Sequence, residues 1–564
     1  MGQFNLIDEK WIRILNLFGE EHLVSIHDVF QNAAEYKMLA NENAMCDLVI
    51  FRVLLAILYR STFYQNDSFY DISDLDDFWR DTWNKKSFDM NQIALYLSDF
   101  HDRFYLIDDE HPFLQITKQD LPEMMPYLKG AGKKIEDCNF YGLDAFCMDA
   151  LESDNSISES TAVKGKERAN MSTDLIARTL LFHALAEDCN LTKGYPKETY
   201  DRNALHSWLS KTVSAVVEGR NLFETLMMNL VLYDPRGGKS FWDEDVLPMW
   251  EWDRIDYLHR QFPNMRNPVA FWTIPSTYIL LNWKDGKLVG YTGCRGQCVS
   301  MNDLSEVPAD TMAIWAVRTQ GEKDASSVVQ ITAMSPSSYC SQYDWFYVGS
   351  LACMQKSGSI SVKESETRKT VGTPIVMDWL RNYSDVFHSV INVRLIYLIF
   401  DPKGYVVYAV KDSSLGVYSD LIFDKAVIKD KDGATVYLTD MFAAFASNLQ
   451  FVGINLYILD QCFGNMKREP KKPPFKNLIT TTVASDFYEA IDPIIRDWLV
   501  QNHEGYSLER LNAVKDLIFQ EAQKQMRQIR DRHGDTVFRT DPIKDFPGQI
   551  WNKYFHNIKD DIYK

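Results

Sequence analysis

Cationic side chains are grouped at several places in this sequence, and the chemistry that suits them is contact with phosphate groups. The segment at 467–476, KREPKKPPFK, carries five basic residues and one acidic residue. Its three prolines stiffen the chain, so the charges are presented at a low cost in conformational entropy. We predict a phosphate-contacting arm here, with a solvated loop between helices as the equal alternative. The basic residues of this arm are Lys467, Arg468, Lys471, Lys472 and Lys476.

A second cationic group recurs every three residues near the C-terminus, at Lys524, Arg527 and Arg530. On the helix that this stretch predicts, the spacing places the three side chains roughly on one face. That face suits contact with a nucleic-acid backbone. An ordinary solvated helix face explains the same spacing, and both interpretations stay open.

A third group surrounds a predicted hairpin. The dipeptide Asp285-Gly286 separates two alternating runs and favours a two-residue hairpin turn. Lys284, Lys287 and Arg295 belong to this stretch. Taken alone, these three are ordinary surface charges.

Catalytic signatures are sparse by comparison. The HD dipeptides at 27–28 and 101–102 have the residue types of a metal-dependent phosphohydrolase, but nothing nearby supplies the further ligands. The sequence contains no HExxH, GxSxG, phosphate-binding Walker loop or paired CxxC. We therefore predict no enzymatic activity, no cofactor and no metal. A hydrolase with a dispersed metal site centred on the HD dipeptides is one alternative.

The cysteines do not indicate a metal site either. Cys294 and Cys298 form a CxxxC, and a zinc ribbon would need a second pair of ligands. The nearest candidates, Cys340 and Cys353, are isolated and poorly spaced, so a loop carrying two thiols is the favoured interpretation. Nine scattered cysteines form no disulfide framework, which predicts a reducing cytoplasm.

The elements that must position these residues change character along the chain. Helical patterns at 41–63, with Asn41 or Asn43 as cap, and at 172–186 lie among polar loops and short strand-like runs. Strand-like runs dominate from Phe271 to about Phe423. From Leu438 onwards four helical segments predict a bundle. The expected fold class is α+β.

Charge is unevenly distributed along the chain. The net charge is −18, yet residues 433–564 hold 17 Lys and Arg against 17 Asp and Glu, so the first 432 residues carry the whole excess. Such a protein binds nucleic acid weakly by itself, because neutralising phosphates supplies most non-specific affinity. A partner with the main positive channel is needed. The longest apolar run, 48–59, contains an arginine and is too short for a membrane span.

Several segments, in this order, resemble the CasA family of type I-E CRISPR Cascade large subunits. They are FNLIDEKWIRIL, VSIHDVF, DLVIFRVLLAIL, HPFLQ, LLFHALA, EGRNLFETLMMNLV and DFYEAIDPIIRDWL. The matches span nearly the whole chain, and their shared order is more specific than any one of them. The resemblance implies a large mixed α/β N-terminal domain, placed at 1–432, followed by a C-terminal four-helix bundle at 433–564.

The resemblance also implies a function without catalysis. In that family the subunit reads the short protospacer-adjacent motif (PAM) of double-stranded DNA from the minor groove, wedges the strands apart and stabilises the R-loop. It also helps to recruit the helicase-nuclease that cuts. The implied partners are crRNA, target DNA, the helicase-nuclease, and the backbone, small, 5′-end-cap and crRNA-processing subunits, with no membrane. A protein–protein scaffold without DNA contact is the other alternative.

Residue roles follow from the resemblance in four places. The family's lysine finger falls near Lys284 to Arg295, with Lys287 as first choice. Its wedge lies on a hairpin tip that we place at 401–404, where this chain lacks the Asn and Gln of many members. Its glycine-rich loop corresponds to 191–203, and the polar loop at 152–170 corresponds to one that docks near the crRNA 5′ end. The candidate residues in the last three places are Asp401, Lys403 and Gly404; Lys193 and Gly194; and Asn155, Lys164, Lys166 and Arg168.

Overall fold

The protein, seen in a computed structural model, is a mixture of short strands and helices that ends in four long helices. The residues that the structure describes are 2–66, 68–69, 71–120, 140–143, 146, 148, 171–186, 208–235, 239–240, 247–252, 268–295, 310–320, 328–333, 343–348, 362–364, 367–400, 407–423, 425–429, 433–465, 481–501, 507–533 and 546–563.

The first half alternates strands and helices. In chain order it forms β1 (Gln3–Asn5), β2 (Ile12–Asn16), β3 (Glu21–Val24), α1 (Ile26–Gln31), β4 (Tyr36–Leu39), α2 (Ala44–Phe63), α3 (Ile72–Lys85), α4 (Met90–Asp99), β5 (Tyr105–Ile107), β6 (Phe140–Gly142), α5 (Thr173–Leu185), α6 (Trp208–Lys211), β7 (Ser214–Glu218), α7 (Leu222–Asn229), β8 (Tyr233–Asp234), β9 (Lys239–Ser240) and α8 (Pro268–Thr273). Single 3-10 turns are present at His101–Arg103 and Met249–Glu251.

Strands dominate the next part, as predicted. They are β10 (Thr277–Lys284), β11 (Lys287–Arg295), β12 (Trp315–Gln320), β13 (Val328–Ala333), β14 (Val362–Glu364), β15 (Thr367–Gly372), β16 (Val390–Phe400), β17 (Val407–Tyr418), β18 (Val427–Lys429) and β19 (Thr435–Tyr437), with a 3-10 turn at Asp344–Tyr347 and helices α9 (Ile375–Arg381) and α10 (Ser419–Ile422). The chain then forms α11 (Leu438–Asn465), α12 (Thr482–Val500), α13 (Leu508–His533) and α14 (Phe546–Tyr563).

The described strands form several small antiparallel sheets. Their strand orders are β3-β2-β4, β10-β11-β6, β17-β16-β7 and β13-β12-β15-β14, with the pairs β1-β5, β8-β9 and β18-β19. Two of these sheets contain a long hairpin, β10–β11 and β16–β17, paired to a third strand from elsewhere in the chain. The third strand braces each hairpin on one side.

Helix α2 lies at the centre of the core because it is apolar on nearly every side. Asn43 accepts a hydrogen bond from the backbone N–H of Cys46 at 2.9 Å, which confirms the predicted helix and identifies its cap. Of its 20 residues 18 are buried, so it is a core helix and not an amphipathic surface helix. It packs against α4, α5, α8 and β16.

The last four helices form the predicted bundle. Helix α11 contacts each of the other three, and its Phe442 stacks on Trp498 of α12 with ring centroids 4.7 Å apart. By length and composition the stretch Leu438–Gly464 of α11 is apolar enough to cross a membrane. More than half of that stretch is buried, as is usual for a core helix. The last helix has 18 residues and is longer than predicted. The division of the chain at residue 432 stays a prediction.

The segment DFYEAIDPIIRDWL joins the bundle to the sheet β17-β16-β7. The indole N–H of Trp345 donates to the Asp492 carboxylate at 2.9 Å, and Arg496 donates to the same carboxylate at 2.9 Å and 3.0 Å. Arg496 also donates to the backbone carbonyl of Ser414 in β17 at 3.2 Å. Burial raises the pKa of Asp344 next to this group. This segment, one of those that carry the resemblance, therefore connects the helix bundle to the sheet.

Candidate nucleic-acid interface

The β10–β11 hairpin ends in the two-residue turn that the sequence predicts. Asp285 and Gly286 have φ of 51° and 73°, and a type I′ turn requires positive φ at both positions. Lys284 and Lys287 form the last cross-strand pair before the turn. A Cβ at Gly286 would meet nothing within 4 Å, so the backbone conformation and not crowding favours glycine here.

Lys284 and Lys287 place two like charges opposite each other at the hairpin tip. Both side chains are exposed. Neither ammonium group forms an ion pair with a carboxylate in the described parts of the chain. Like charges facing each other across two strands disfavour pairing, and cross-strand pairs are worth roughly 0.2–1 kcal/mol. An unfavourable pair of like charges that no neighbouring carboxylate offsets is typical of a functional site. The tip therefore presents two positive charges to solvent.

Gln115, in the HPFLQ segment, fixes this hairpin to the N-terminal part of the chain. Its side-chain amide donates to the carbonyl of Leu106 at 2.8 Å, and its side-chain oxygen accepts from the backbone N–H of Leu281 at 3.1 Å. The N–H of Ile116 donates to the carbonyl of Ile279 at 2.9 Å. Because Gln115 is buried, its two hydrogen bonds satisfy backbone groups that water reaches poorly.

Helix α5, which contains LLFHALA, holds the same hairpin from another side. The carbonyl of Ala184 accepts hydrogen bonds from the N–H and the hydroxyl of Ser276 at 2.8 Å and 3.2 Å. The buried ring of His183 lies 5.9 Å from that of Tyr291 in β11, and Tyr291 stacks on Tyr141 at 5.0 Å. Two segments that carry the resemblance thus hold the strands of one hairpin in place.

Replacing Gln115 with alanine should loosen the base of this hairpin. The Leu106 carbonyl and the Leu281 N–H would lose their partner, and each unsatisfied buried group costs about 1–3 kcal/mol. We expect the free energy of unfolding, measured in urea, to fall by about 2 kcal/mol, with faster hydrogen exchange at the Leu281 amide. Gln501→Ala, at the exposed end of α12, is the control. Unchanged exchange at Leu281 in the Gln115→Ala variant would contradict the anchoring role.

Arg295 is far from the two lysines with which it was grouped. Its backbone pairs with that of Thr277 at the base of the hairpin. Strands rise about 3.3 Å per residue, so roughly 26 Å of strand separates it from Lys287. The structure therefore brings Lys284 and Lys287 together and leaves Arg295 at the opposite end.

The β16–β17 hairpin flanks the predicted wedge. Its strands pair antiparallel up to Phe400 and Val407, while Asp401, Lys403 and Gly404 lie outside the described residues. The described part of the two strands is anchored to the rest of the protein.

Arg394 anchors these two strands by binding three carboxylates. It lies 2.7 Å from Asp412, 3.6 Å from Asp47 of α2 and 4.0 Å from Glu218 of β7. Burial raises the pKa of Asp47 and of Glu218, and the Arg394 guanidinium opposes this effect at both. The cluster therefore ties β16 to the core helix and to both neighbouring strands.

The EGRNLFETLMMNLV segment supports the same sheet. The side-chain amide of Asn229 donates to the Val217 carbonyl at 2.7 Å, and its oxygen accepts from the Val217 N–H at 3.1 Å. A Cβ at Gly219 would overlap the Glu224 side chain, so glycine permits the close approach of β7 to α7. This segment therefore packs as one unit beside the second hairpin.

Arg52 and Asp310 form a fully buried ion pair that the sequence patterns did not reveal. Both side chains are 0% exposed. One terminal nitrogen of Arg52 donates to the two carboxylate oxygens at 2.9 Å and 3.1 Å and to the Ser214 hydroxyl at 3.1 Å. Trp208 also donates to Asp310. The only available signal was an arginine inside an apolar helix, which requires a buried partner.

Lys524, Arg527 and Arg530 lie on helix α13 as predicted. The ammonium of Lys524 lies 3.2 Å from Glu521, and the guanidinium of Arg530 lies 2.9 Å from Asp531. Arg527 is exposed. A phosphate would have to compete with two carboxylates on this face. Its role in binding nucleic acid stays a prediction.

The remaining predicted contacts lie outside the described residues. They are Lys467, Arg468, Lys471, Lys472 and Lys476 of the basic arm, the loop residues Lys193 and Gly194, and the loop residues Asn155, Lys164, Lys166 and Arg168. Their roles stay predictions.

The HD dipeptides have local structural partners. Asp28 completes a capping box with Ser25 at the start of α1, and His101 lies 2.8 Å from the Asp8 carboxylate. Within the described residues no group of three or more His, Cys, Asp or Glu side chains is arranged to hold a metal. Cys294 lies in β11, and Cys298 lies outside the described residues.

A curated relative shares part of this sequence. It is the CRISPR-associated protein CasA/Cse1 of Thermus thermophilus, which is 30% identical over 253 residues. The alignment covers 44% of this chain and 42% of the relative, so the chain matches less than half of that relative's length.

Solved structures share the fold over almost the full length. The crystal structure of Thermobifida fusca Cse1 matches with a TM-score of 0.72 at 17% identity, covering 99% of this chain and 98% of that chain. A chain from a structure described as a CRISPR RNA-guided surveillance complex matches with a TM-score of 0.61 at 14% identity, covering 100% of both chains. The family model for CRISPR-associated protein Cse1 matches residues 5–532. The chain therefore belongs to the CRISPR-associated protein Cse1 family.

Proposed function

We propose that this chain is the large subunit of a crRNA-guided type I-E Cascade. In that complex it recognises the PAM in double-stranded DNA, promotes strand separation, stabilises the R-loop and helps to recruit the helicase-nuclease. Family membership and the shared fold with a chain of a surveillance complex support this proposal. Its partners would be crRNA, target DNA, the helicase-nuclease and the other Cascade subunits, in the cytoplasm.

The observation that carries the proposal is the hairpin tip with Lys284 and Lys287. Two exposed cations on a two-residue turn between anchored strands can enter a groove of DNA at a low entropic cost. The minor groove carries mainly acceptors and distinguishes few base pairs, so a lysine there reads a short motif loosely. Guide pairing supplies the rest of the sequence specificity. No bond-making chemistry is required of this chain.

The strong net negative charge indicates that this chain depends on other subunits to bring it to DNA. A chain with a net charge of −18 is on balance repelled by DNA. The hairpin lysines can therefore act only after other subunits have brought the duplex close. Residues 401–404, which adjoin the second anchored hairpin, would then act as the wedge between the parted strands.

Leaving this chain out of the assembly tests the proposal. Reactivity of unpaired thymines to permanganate reports opening of a PAM-containing target. We expect opening with the complete assembly, loss of opening without this chain, and recovery when the purified chain is added back. Equal opening without the chain would refute the proposal.

A photo-crosslinking side chain in place of Lys287 separates this function from that of a scaffold. Within the complete assembly it should label the PAM-containing duplex, while the same side chain in place of Lys429, on the β18–β19 hairpin, should not. Labelling of protein subunits alone would favour the scaffold.

A further inference from the structure

The β2–β3 turn holds an aromatic side chain in water. Phe18 is 90% exposed and its neighbour Leu17 is 53% exposed. The backbone around them is well ordered by Asn16, whose side-chain oxygen accepts from the N–H groups of Phe18 and Glu20, both at 2.9 Å. An exposed phenylalanine gains nothing from this position in the isolated chain, because its apolar surface stays in water.

Further contacts fix the direction of the turn. The N–H of Gly19 donates to the Asn16 carbonyl at 3.0 Å, and the φ of Gly19 is 83°, which favours glycine. The N–H of Leu17 donates to the carbonyl of Glu35 at 3.2 Å, which ties the tip to the segment before β4. The turn is therefore pre-organised, and little conformational entropy would be lost if Phe18 were buried by a partner.

Phe18 is also part of a larger apolar surface. Leu17, Phe18 and the exposed Leu23 line a groove of about 540 Å³ together with Val24 and Tyr36. Clusters of exposed apolar side chains next to a groove are typical of sites that bind another protein. A buried aromatic anchor surrounded by such side chains is the usual centre of a protein interface.

The charges around this surface restrict its partner. Glu20, Glu21 and Glu35 are exposed beside the turn, and Asp28 lines the groove. Two basic side chains, Lys10 and His22, also line it, and the His22 ring lies 3.7 Å from the Glu20 carboxylate, so carboxylates outnumber basic groups around the groove. This predominantly acidic border disfavours nucleic acid and anionic lipid headgroups. A second copy of the chain would bring the same carboxylates face to face in a symmetric contact. A protein surface with basic side chains around an apolar pocket is complementary to it.

We propose that the Leu17–Phe18 turn docks this chain onto another protein subunit of the surveillance complex, which receives Phe18 in an apolar pocket bordered by basic side chains. The proposal rests on the proposed function for the identity of the complex. It adds a protein contact on a turn separate from the hairpin assigned to DNA.

Phe18→Ser tests this docking. The probe is the crRNA-loaded assembly without this subunit, immobilised in the absence of target DNA and titrated with the full-length chain. We expect the dissociation constant to rise about 30-fold, as for removal of a central aromatic anchor. The Tm should be unchanged, because the side chain is almost wholly in water. Leu95→Ser, which removes a 41% exposed leucine of α4, is the matched control and should bind normally.

The outcomes distinguish docking from DNA recognition. Equal affinity of Phe18→Ser and the unaltered chain would overturn the docking proposal. Loss of self-association in sedimentation, with normal binding to the assembly, would overturn it in favour of a second copy. Weakened docking by Phe18→Ser, with target binding unaffected by the loss of Lys284 and Lys287, would leave the docking proposal standing and contradict the DNA role.

Discussion

Asp310→Ala should lower the free energy of unfolding by about 3–5 kcal/mol, because it leaves the Arg52 guanidinium charged, buried and without its counter-ion. Both side chains are 0% exposed, so water cannot replace the missing carboxylate without opening the core. Arg52 lies on the central helix and Ser214, its other partner, begins β7. We expect the destabilisation to include the sheet that carries the second hairpin.

Urea denaturation measures this effect, with Asp385→Ala as the control. Asp385 forms an exposed ion pair with Arg80, at 2.9 Å and with 66% of the Asp385 side chain in water. Exposed pairs contribute about 1 kcal/mol or less, so the control should shift the midpoint only slightly. A similar loss in the two variants would contradict the assigned role of burial.

The double substitution Arg52→Met with Asp310→Leu separates the charge effect from the packing effect. It removes both buried charges and retains much of the apolar volume. Exchange of a buried ion pair for apolar residues is often neutral or stabilising, so stability should recover most of the loss. Failure to recover would show that the hydrogen bonds to Ser214 and Trp208 matter more than the unpaired charge.

The Lys284→Ala/Lys287→Ala variant should bind target DNA roughly 50-fold more weakly at about 0.1 M salt once it is in the assembled complex. For each phosphate that a lysine no longer neutralises, the slope of log affinity against log salt concentration should fall by about 0.9, or about 2 units for the pair. The hairpin itself should remain folded, since both side chains are exposed and the change removes a like-charge pair. A series of binding isotherms at increasing salt measures both quantities.

A matched control removes the same charge elsewhere. Lys425 and Lys429 are exposed and lie at or near the β18–β19 hairpin, and their replacement by alanine changes the net charge equally. That variant should retain the affinity and nearly the full slope. If both double variants weaken binding alike, the effect reflects the net charge of the chain and not the β10–β11 tip.

Much of the local structure follows from short patterns in the sequence. Asp285-Gly286 specifies its turn because few residues tolerate positive φ at both positions, and the structure confirms it. The helix at 44–63 follows from an apolar run long enough for several turns with Asn43 before it. The four C-terminal helices were found in the same way. Family membership was expected from the order of seven segments and is confirmed by the match over residues 5–532.

The structural roles of the segments that carry the resemblance were not evident from their amino-acid sequences. HPFLQ and LLFHALA hold the β10–β11 hairpin through Gln115 and Ala184, while the segments around Arg52 and Asn229 support the sheet of the second hairpin. Each of these contacts joins residues that are far apart in the chain or depends on the angle between two elements. Arg295 lies far from Lys287 for a related reason, because residues eight positions apart in one extended strand are separated by roughly 26 Å. Its role in DNA binding stays a prediction.

The sequence by itself determined the turn, the helices, the acidic surface with its few cationic groups and the family to which the chain belongs. These depend on backbone preferences, periodicity and charge, which act over a few residues or over the chain as a whole. Only the tertiary structure decided which cations share one tip, that Arg52 meets Asp310 across 258 residues, and that Phe18 is exposed on the surface of this chain. The burial of a side chain and the identity of its partners depend on how the helices and strands pack, because residues far apart in the chain become neighbours only in the folded protein.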